Sequence, residues 1–306
     1  SNWLGRFSWG DEFIGGLQTF PAQVGKTTTK VYQAMFSNAR TLSPSVVNEF
    51  RAGYNQFQND QLLRFAFERD VSKELGIPGL ASPVSAAWGT PSVGLREGIS
   101  GFGESTEGPY VNRNHTFQVL DNVSIVRGNH SFKFGAEIRR DRYNQIGNQF
   151  PRGSFGFEAK ASFDPVAARR GITGHSFADF LLGESLRSER ALGIANTMFR
   201  STSMYFYFED SWKLTPRLTM NLGLRYENVP PFHDKYRGIM NVLMFDPGVG
   251  PNGLLPGTKV PIFVRPGKGD VHEGIQYHFH DGIPTAVGDE HMGRATVKTD
   301  YNDFGP

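Results

Sequence analysis

The sequence predicts an all-β protein, an antiparallel transmembrane β-barrel of which this chain supplies a part. In several segments apolar and polar residues alternate over ten residues or more, a pattern typical of strands with different surroundings on their two faces. Such strands are longer than the five or six residues usual in globular proteins. Along the chain, tight turns alternate with long excursions, as on the two rims of an outer-membrane barrel.

The clearest hairpin is predicted at 201–213 and 217–229. In its second strand, Leu218, Met220, Leu222 and Leu224 alternate with polar residues. The joint contains Pro216, whose fixed φ and missing N–H suit a turn. Alternation of this kind predicts one apolar face and one wet face.

The remaining elements follow the same scheme in chain order, and together they predict about seven or eight long strands. Further strands are expected near 3–13, 29–39, 46–57, 115–126 and 130–142, and a last one at 299–306. Tight turns fall at 40–45, 127–129 and 214–217, and the outer loops at 14–28, 58–113, 143–200 and 230–298. Helical turns are expected within 66–75 and 175–183, the latter ended by Gly183.

Composition excludes several classes of protein. Of 306 residues, 38% are hydrophobic and 13% aromatic, which suits strands that are apolar on one side better than a large core. The net charge of +2 gives no reason to expect a nucleic-acid partner. The absence of cysteine excludes disulfides and thiolate metal sites.

The alternation assigns two sets of residues. The lipid-facing set is expected to contain Phe50, Tyr54, Phe132, Phe134, Ile138, Met204, Phe206, Phe208, Leu218, Met220, Leu222 and Leu224. The lumen-facing set is a charged ladder of Glu49, Arg51, Lys133, Glu137, Arg139, Asp141, Glu209, Lys213, Arg225 and Glu227. We expect the ladder to pair across strands, and a plug held by such pairs is the sharper alternative. Asp121 interrupts the apolar face of its strand.

Signals for chemistry are weak. His272, His278 and His280 form the one candidate metal cluster, but the spacing lacks the helical histidine pair of a zincin. Ser203 and Ser211 lack a nucleophile-elbow context. We therefore expect no enzyme and no cofactor.

Four segments resemble a known family: 129–141 (NHSFKFGAEIRRD), 177–183 (FADFLLG), 205–227 (YFYFEDSWKLTPRLTMNLGLRYE) and 299–304 (TDYNDF). They are similar to TonB-dependent outer-membrane receptors, and most of all to the Oar-like group, whose members often carry a carboxypeptidase-regulatory-like domain. The resemblance runs over most of the chain and is densest in the strands and turns.

This resemblance implies a barrel of roughly 22 strands in the outer membrane of a Gram-negative bacterium. It also implies a plug domain of the same full-length chain, a TonB-type periplasmic partner and an extracellular solute of unknown class. The plug, the TonB box and the regulatory-like domain would lie upstream, so we interpret residues 1–306 as an interior piece of a longer protein.

Two other classes remain open. One is a passive structural or adhesive outer-membrane barrel, and the other is a soluble β-rich carbohydrate-binding module or hydrolase domain. Aromatic residues of the long excursions could line a binding vestibule or pack the loops together: Phe65, Phe67, Trp88, Phe102, Tyr110, Phe150, Phe155 and Phe157.

Overall fold

The computed structural model describes residues 1–16, 25–166, 173–191, 193–236, 241–242, 263–266, 276–277, 286–289 and 299–305. Long antiparallel strands dominate this part of the chain. The strands are β1 (Asn2–Gly15), β2 (Lys26–Ser43), β3 (Val46–Leu62), β4 (Ser92–Gly94), β5 (Tyr110–Arg127), β6 (His130–Ile146), β7 (Ser154–Gly156), β8 (Arg187–Glu189), β9 (Gly193–Ile194), β10 (Asn196–Thr215), β11 (Leu218–Asn228), β12 (His233–Asp234), β13 (Asn241–Val242), β14 (Phe263–Pro266), β15 (Gln276–Tyr277), β16 (Ala286–Asp289) and β17 (Phe304–Gly305).

Helices are few and short. They are α1 (Val71–Glu74), a 3-10 turn (Ser85–Ala87) and α2 (Ser176–Leu182). The helix α2 occupies the segment predicted at 175–183, and it ends at Gly183, whose φ of 75° is the left-handed conformation that glycine adopts readily. None of the described helices is long and apolar enough to cross a membrane.

One open sheet contains all the long strands, in the order β1-β2-β3-β5-β6-β10-β11-β17. Every neighbouring pair in it is antiparallel, and β12 adds a short pairing with β10. Consecutive long strands are therefore neighbours, which is the meander that an up-and-down barrel uses.

The connections differ sharply between the two ends of the sheet. At one end, two-residue turns at 44–45, 128–129 and 216–217 join the strands. Gly128 has a φ of 59°, as a tight hairpin turn requires. At the other end lie the excursions 63–109 and 147–195. Loop length is thus segregated by rim.

The strands run further into the loop rim than the sequence predicts. β5 starts at Tyr110 rather than near 115, β6 continues to Ile146 rather than 142, and β10 starts at Asn196 rather than 201. In these extensions both faces carry polar residues, so alternation fades while backbone hydrogen bonding continues. The last predicted strand is much shorter than expected, because only Phe304 and Gly305 pair with β11.

The described residues of the two long excursions pack on each other. β7 of the second excursion pairs with β4 of the first and with β8. Every buried hydrophobic residue in the described part belongs to these excursions: Ala66, Leu80, Ala86, Ala87, Val93, Phe157 and Ile194. The hydrophobic core therefore sits in a layer above one rim, which we call the loop layer (63–109 and 147–195).

Candidate functional site

The sheet has one apolar and one polar face, continuous across seven strands. Residues directly opposite in an antiparallel pair share a face, so the register traces each face from strand to strand. Tyr226 is opposite Phe206, which is opposite Ala136, and the same row continues through Phe50 to Trp3. Most of the large apolar residues of the long strands fall on this face, although the row also contains Asn38 and Asp121.

The register places each predicted set on a single face of the sheet. The apolar face carries Phe50, Tyr54, Phe132, Phe134, Ile138, Met204, Phe206, Phe208, Leu218, Met220, Leu222 and Leu224. The polar face carries Glu49, Arg51, Lys133, Glu137, Arg139, Asp141, Glu209, Lys213, Arg225 and Glu227.

No second layer of described protein covers the apolar face. Phe134, Phe206 and Leu222 are 41%, 43% and 46% exposed. A soluble sandwich would bury these side chains against another sheet. Their exposure is instead that of a surface made to meet an apolar solvent.

The apolar band crosses the rows of paired residues obliquely. On β11 it runs from Leu218, next to the turn, up to Tyr226. Tyr226 is thus the upper end of the band on β11. The row of paired residues that contains Tyr226 also contains Trp3, and Trp3 is the lower end of the band on β1. The band thus shifts by about eight residues, or roughly 26 Å, over six strand spacings of about 4.8 Å each. That offset corresponds to a strand tilt of about 42°, within the range of membrane barrels.

Asp121 and Asp210 interrupt the apolar band, and each has a polar neighbour. Asp121 accepts a hydrogen bond from Asn48 Nδ2 at 2.7 Å. Asp210 is 6% exposed and lies 2.7 Å from His130 Nδ1, whose ring stacks on Trp212. Its second oxygen, Oδ1, is buried without a hydrogen-bond partner among the described residues.

The charged ladder on the polar face pairs mainly along strands rather than across them. Ion pairs join Glu49 to Arg51, Arg139 to Asp141, and Arg225 to Glu227, each two residues apart on one strand. Lys133 and Glu209, at 3.7 Å, are the one ladder pair between strands in the described part. The expectation of cross-strand pairing is therefore mostly wrong, because residues two apart on the same face are also within reach of long side chains. Such exposed pairs contribute about 0–1 kcal/mol each.

Two open cavities, of about 700 and 270 Å³, lie against the polar side of the sheet. Most of their lining residues belong to the polar face. In the larger one the ring of Tyr207 lies over Gly135 and its hydroxyl donates to Asn122 Oδ1 at 3.1 Å. A Cβ on Gly135 would come within 1.8 Å of that ring. The polar face is thus the concave one and the apolar face the convex one.

A buried ion pair fastens the two halves of the loop layer. Arg152 Nε lies 3.6 Å from Glu104 Oε2, and both side chains are almost fully buried. Glu104 also accepts from the backbone N–H groups of Phe65 and Thr90. Desolvation raises the pKa of Glu104 and lowers that of Arg152 to about 10. Burial therefore opposes both charges, and the mutual attraction offsets only part of that cost.

A second anchor lies within the later excursion. The carboxylate of Asp179, on α2, accepts from the backbone N–H groups of Lys160, Ala161 and Ser162 and from the hydroxyl of Ser162. These hydrogen bonds, led by that of the Ser162 hydroxyl, lower the pKa of Asp179. The charged form is thus the one that holds this loop to α2.

Some of the loop aromatics pack the loops together. Phe157 is buried, and its ring and that of Phe102 meet Phe180 edge-on at 5.4 and 5.3 Å. Phe67, by contrast, is 40% exposed. Packing accounts for Phe102 and Phe157.

A family model described as "Outer membrane beta barrel domain" matches residues 1–306. The chain belongs to this family. The outer membrane β-barrel domain therefore resides in the outer membrane. No curated protein and no solved structure matches the chain.

The predicted histidine cluster of this barrel domain, His272, His278 and His280, lies outside the described residues. Within the described ranges, no three histidine or acidic side chains come together as a metal site would require. No local sequence pattern marks the Glu104–Arg152 pair, whose partners are far apart in the chain.

Proposed function

We propose that this outer membrane β-barrel domain is the barrel of a TonB-dependent transporter, which passes a large or scarce solute in an energy-coupled way. Its apolar face would contact outer-membrane lipid and its polar face would line the lumen. The observation that carries the proposal is the concave, mixed-charge polar face. Water-exposed ion pairs of modest strength suit a surface that must hold a plug and release it.

The resemblance in the strands and turns supplies the rest of the mechanism. Outward loops capture the solute, contact with the plug follows, and a TonB-type protein pulls the plug from the periplasm. We propose no cofactor and no catalytic role for the barrel in this scheme.

Site-specific crosslinking in the full-length protein tests the proposal. A photoreactive amino acid at Tyr205, on the polar face, is expected to capture a plug segment of the same chain. At Phe206, one residue away on the apolar face, it is expected to capture lipid only. Collapsing the proton gradient or deleting the TonB-type protein should change the Tyr205 crosslink yield.

The packed loop layer favours the passive adhesive barrel as a second candidate, because a rigid outer layer suits binding to a surface. In that case the Tyr205 crosslink would be absent, or its yield would be the same with and without the gradient. Either result would refute energy-coupled transport.

A further inference from the structure

Three arginines stand on the apolar face just above the apolar band. On β6, Ile138 is the last apolar residue of the band, and Arg140 and Arg142 follow it on the same face toward the loop layer. Arg200 of β10 is directly opposite Arg142, and Thr202 is opposite Arg140. We call Arg140, Arg142 and Arg200 the arginine cluster. It lies at the level where the outward end of a membrane band meets water.

In the described part of the chain, the cluster forms hydrogen bonds only to neutral groups and no ion pair. Among the described residues, no ion pair within 4.0 Å involves any of its members. Their hydrogen bonds go to neutral acceptors: Arg140 donates to Thr202 Oγ1, and Arg200 Nη1 donates to Asn144 Oδ1 at 2.8 Å and to its neighbour's backbone carbonyl at 199 at 2.7 Å. The guanidinium of Arg142 lies over the ring of Phe117 at 5.4 Å. Most of their N–H donors therefore remain available.

Neighbouring charges do not neutralise the cluster. His115 is opposite Arg142 on β5, and Arg113 on the same face is already paired with Asp60. The carboxylate whose field reaches Arg200 is that of Asp234. Its oxygens accept from backbone N–H groups at 198 and 236. The acidic residue between the two arginines of β6 faces the other side of the sheet, at position 141.

Like charges directly opposite each other destabilise a sheet. An anion outside the protein would offset this repulsion. Guanidinium groups bind phosphate oxygens in pairs, through parallel N–H donors. A membrane surface presents phosphate groups at this depth, and long basic side chains reach up to them from the edge of the hydrocarbon.

We propose that the arginine cluster binds the phosphate group of an anionic lipid in the outer leaflet of the outer membrane. The inference rests on the orientation given under the proposed function, with the apolar face toward lipid. The lipid would lie against Ile138 and Met204 with its acyl chains and meet the cluster with its headgroup.

Native mass spectrometry of the full-length protein provides the test. The probes are a bis-phosphorylated glycolipid, the same glycolipid with its phosphates removed, and inorganic phosphate. We expect the wild type to prefer the phosphorylated lipid at least about tenfold, and Arg142→Gln combined with Arg200→Gln to abolish the preference. Arg139→Gln, on the opposite face, is the matched control and should keep it.

Three results would overturn the inference: no preference in the wild type, a preference that survives the double substitution, or inorganic phosphate binding as tightly as the lipid. Arg142→Gln alone guards against misfolding, because no hydrogen bond from Arg142 is present in the described part. Heat-dependent gel migration confirms that each variant is folded. If Arg139→Gln loses the preference and the double variant keeps it, the faces are reversed and the proposed orientation fails as well. If the wild type shows no preference, only the proposed lipid site is refuted and the proposed function is not affected.

Discussion

An arginine in place of Leu224 should strongly destabilise the barrel in a bilayer. Leu224 is 54% exposed on the apolar face and stands opposite Phe208, which is opposite Phe134. Leu224 lies two residues from Leu222, which is the middle of the band on β11. At the strand tilt found above, this spacing places Leu224 about 5 Å from the band centre along the membrane normal. A cation near the midplane costs about 2–4 kcal/mol. We expect about 2–3 kcal/mol here, roughly a 30- to 140-fold change in the folding equilibrium.

The same substitution at Leu222 should be milder, although Leu222 is more central. Asp210 is directly opposite it, and Asp210 Oδ1 is buried without a hydrogen-bond partner among the described residues. An arginine at 222 can donate to that oxygen, and such a pair should reduce the loss to about 1–2 kcal/mol. Adding Asp210→Asn to Leu222→Arg should bring the full penalty back.

The assay is a urea titration of the full chain folded into lipid vesicles, with tryptophan fluorescence and gel migration as readouts. Asn221→Arg is the control, because it places the same cation on the polar face. Its folding free energy should change by no more than about 0.5 kcal/mol. Equal losses for Leu224→Arg and Asn221→Arg would refute the two-solvent reasoning, and Leu222→Arg at least as damaging as Leu224→Arg would refute the role given to Asp210.

Three further predictions concern the concave face and the loop layer. Gly135→Ala should lower the free energy of unfolding by about 1–2 kcal/mol, because the new Cβ collides with the ring of Tyr207. Gly53→Ala adds a Cβ with nothing within 4 Å, so it should be close to neutral in the same urea titration. Arg152→Ala leaves Glu104 buried without its cation, so the loop layer should lose about 3–5 kcal/mol of stability and become sensitive to limited proteolysis. Combining Arg152→Met with Glu104→Gln should recover most of the resistance to the protease. Equal sensitivity of the two variants would contradict this account. The folded-state pKa of Asp179 is lowered, so its contribution is complete at neutral pH and is lost as the pH falls below the ordinary carboxyl range near 3.8; hydrogen exchange at 160–162 should show this acid dependence in the wild type and lack it in Asp179→Asn.

The sequence could predict the faces of the sheet because alternation of apolar and polar residues indicates that the two faces of a strand have different surroundings. Phe132, Phe134 and Ile138 alternate with Lys133 and charged neighbours whatever the rest of the chain does. The ends of the strands could not be predicted in this way. Beyond 142, β6 continues through residues that are polar or mixed on both faces, so only the backbone pairing defines it.

The loop layer was largely beyond prediction from sequence. Its anchors join residues that are far apart, such as Glu104 with Arg152, or a carboxylate with three successive backbone N–H groups. No local pattern marks such contacts. The helix α2 is the exception, because its apolar run and terminal Gly183 are local signals.

The slant of the apolar band also decides how much of the membrane circumference each strand occupies. A strand tilted by about 42° occupies roughly 6.5 Å of the barrel perimeter, whereas an upright strand occupies about 4.8 Å. The six gaps between β1 and β11 consequently span an arc of about 39 Å. Tilt thus widens the perimeter by about a third for the same number of strands.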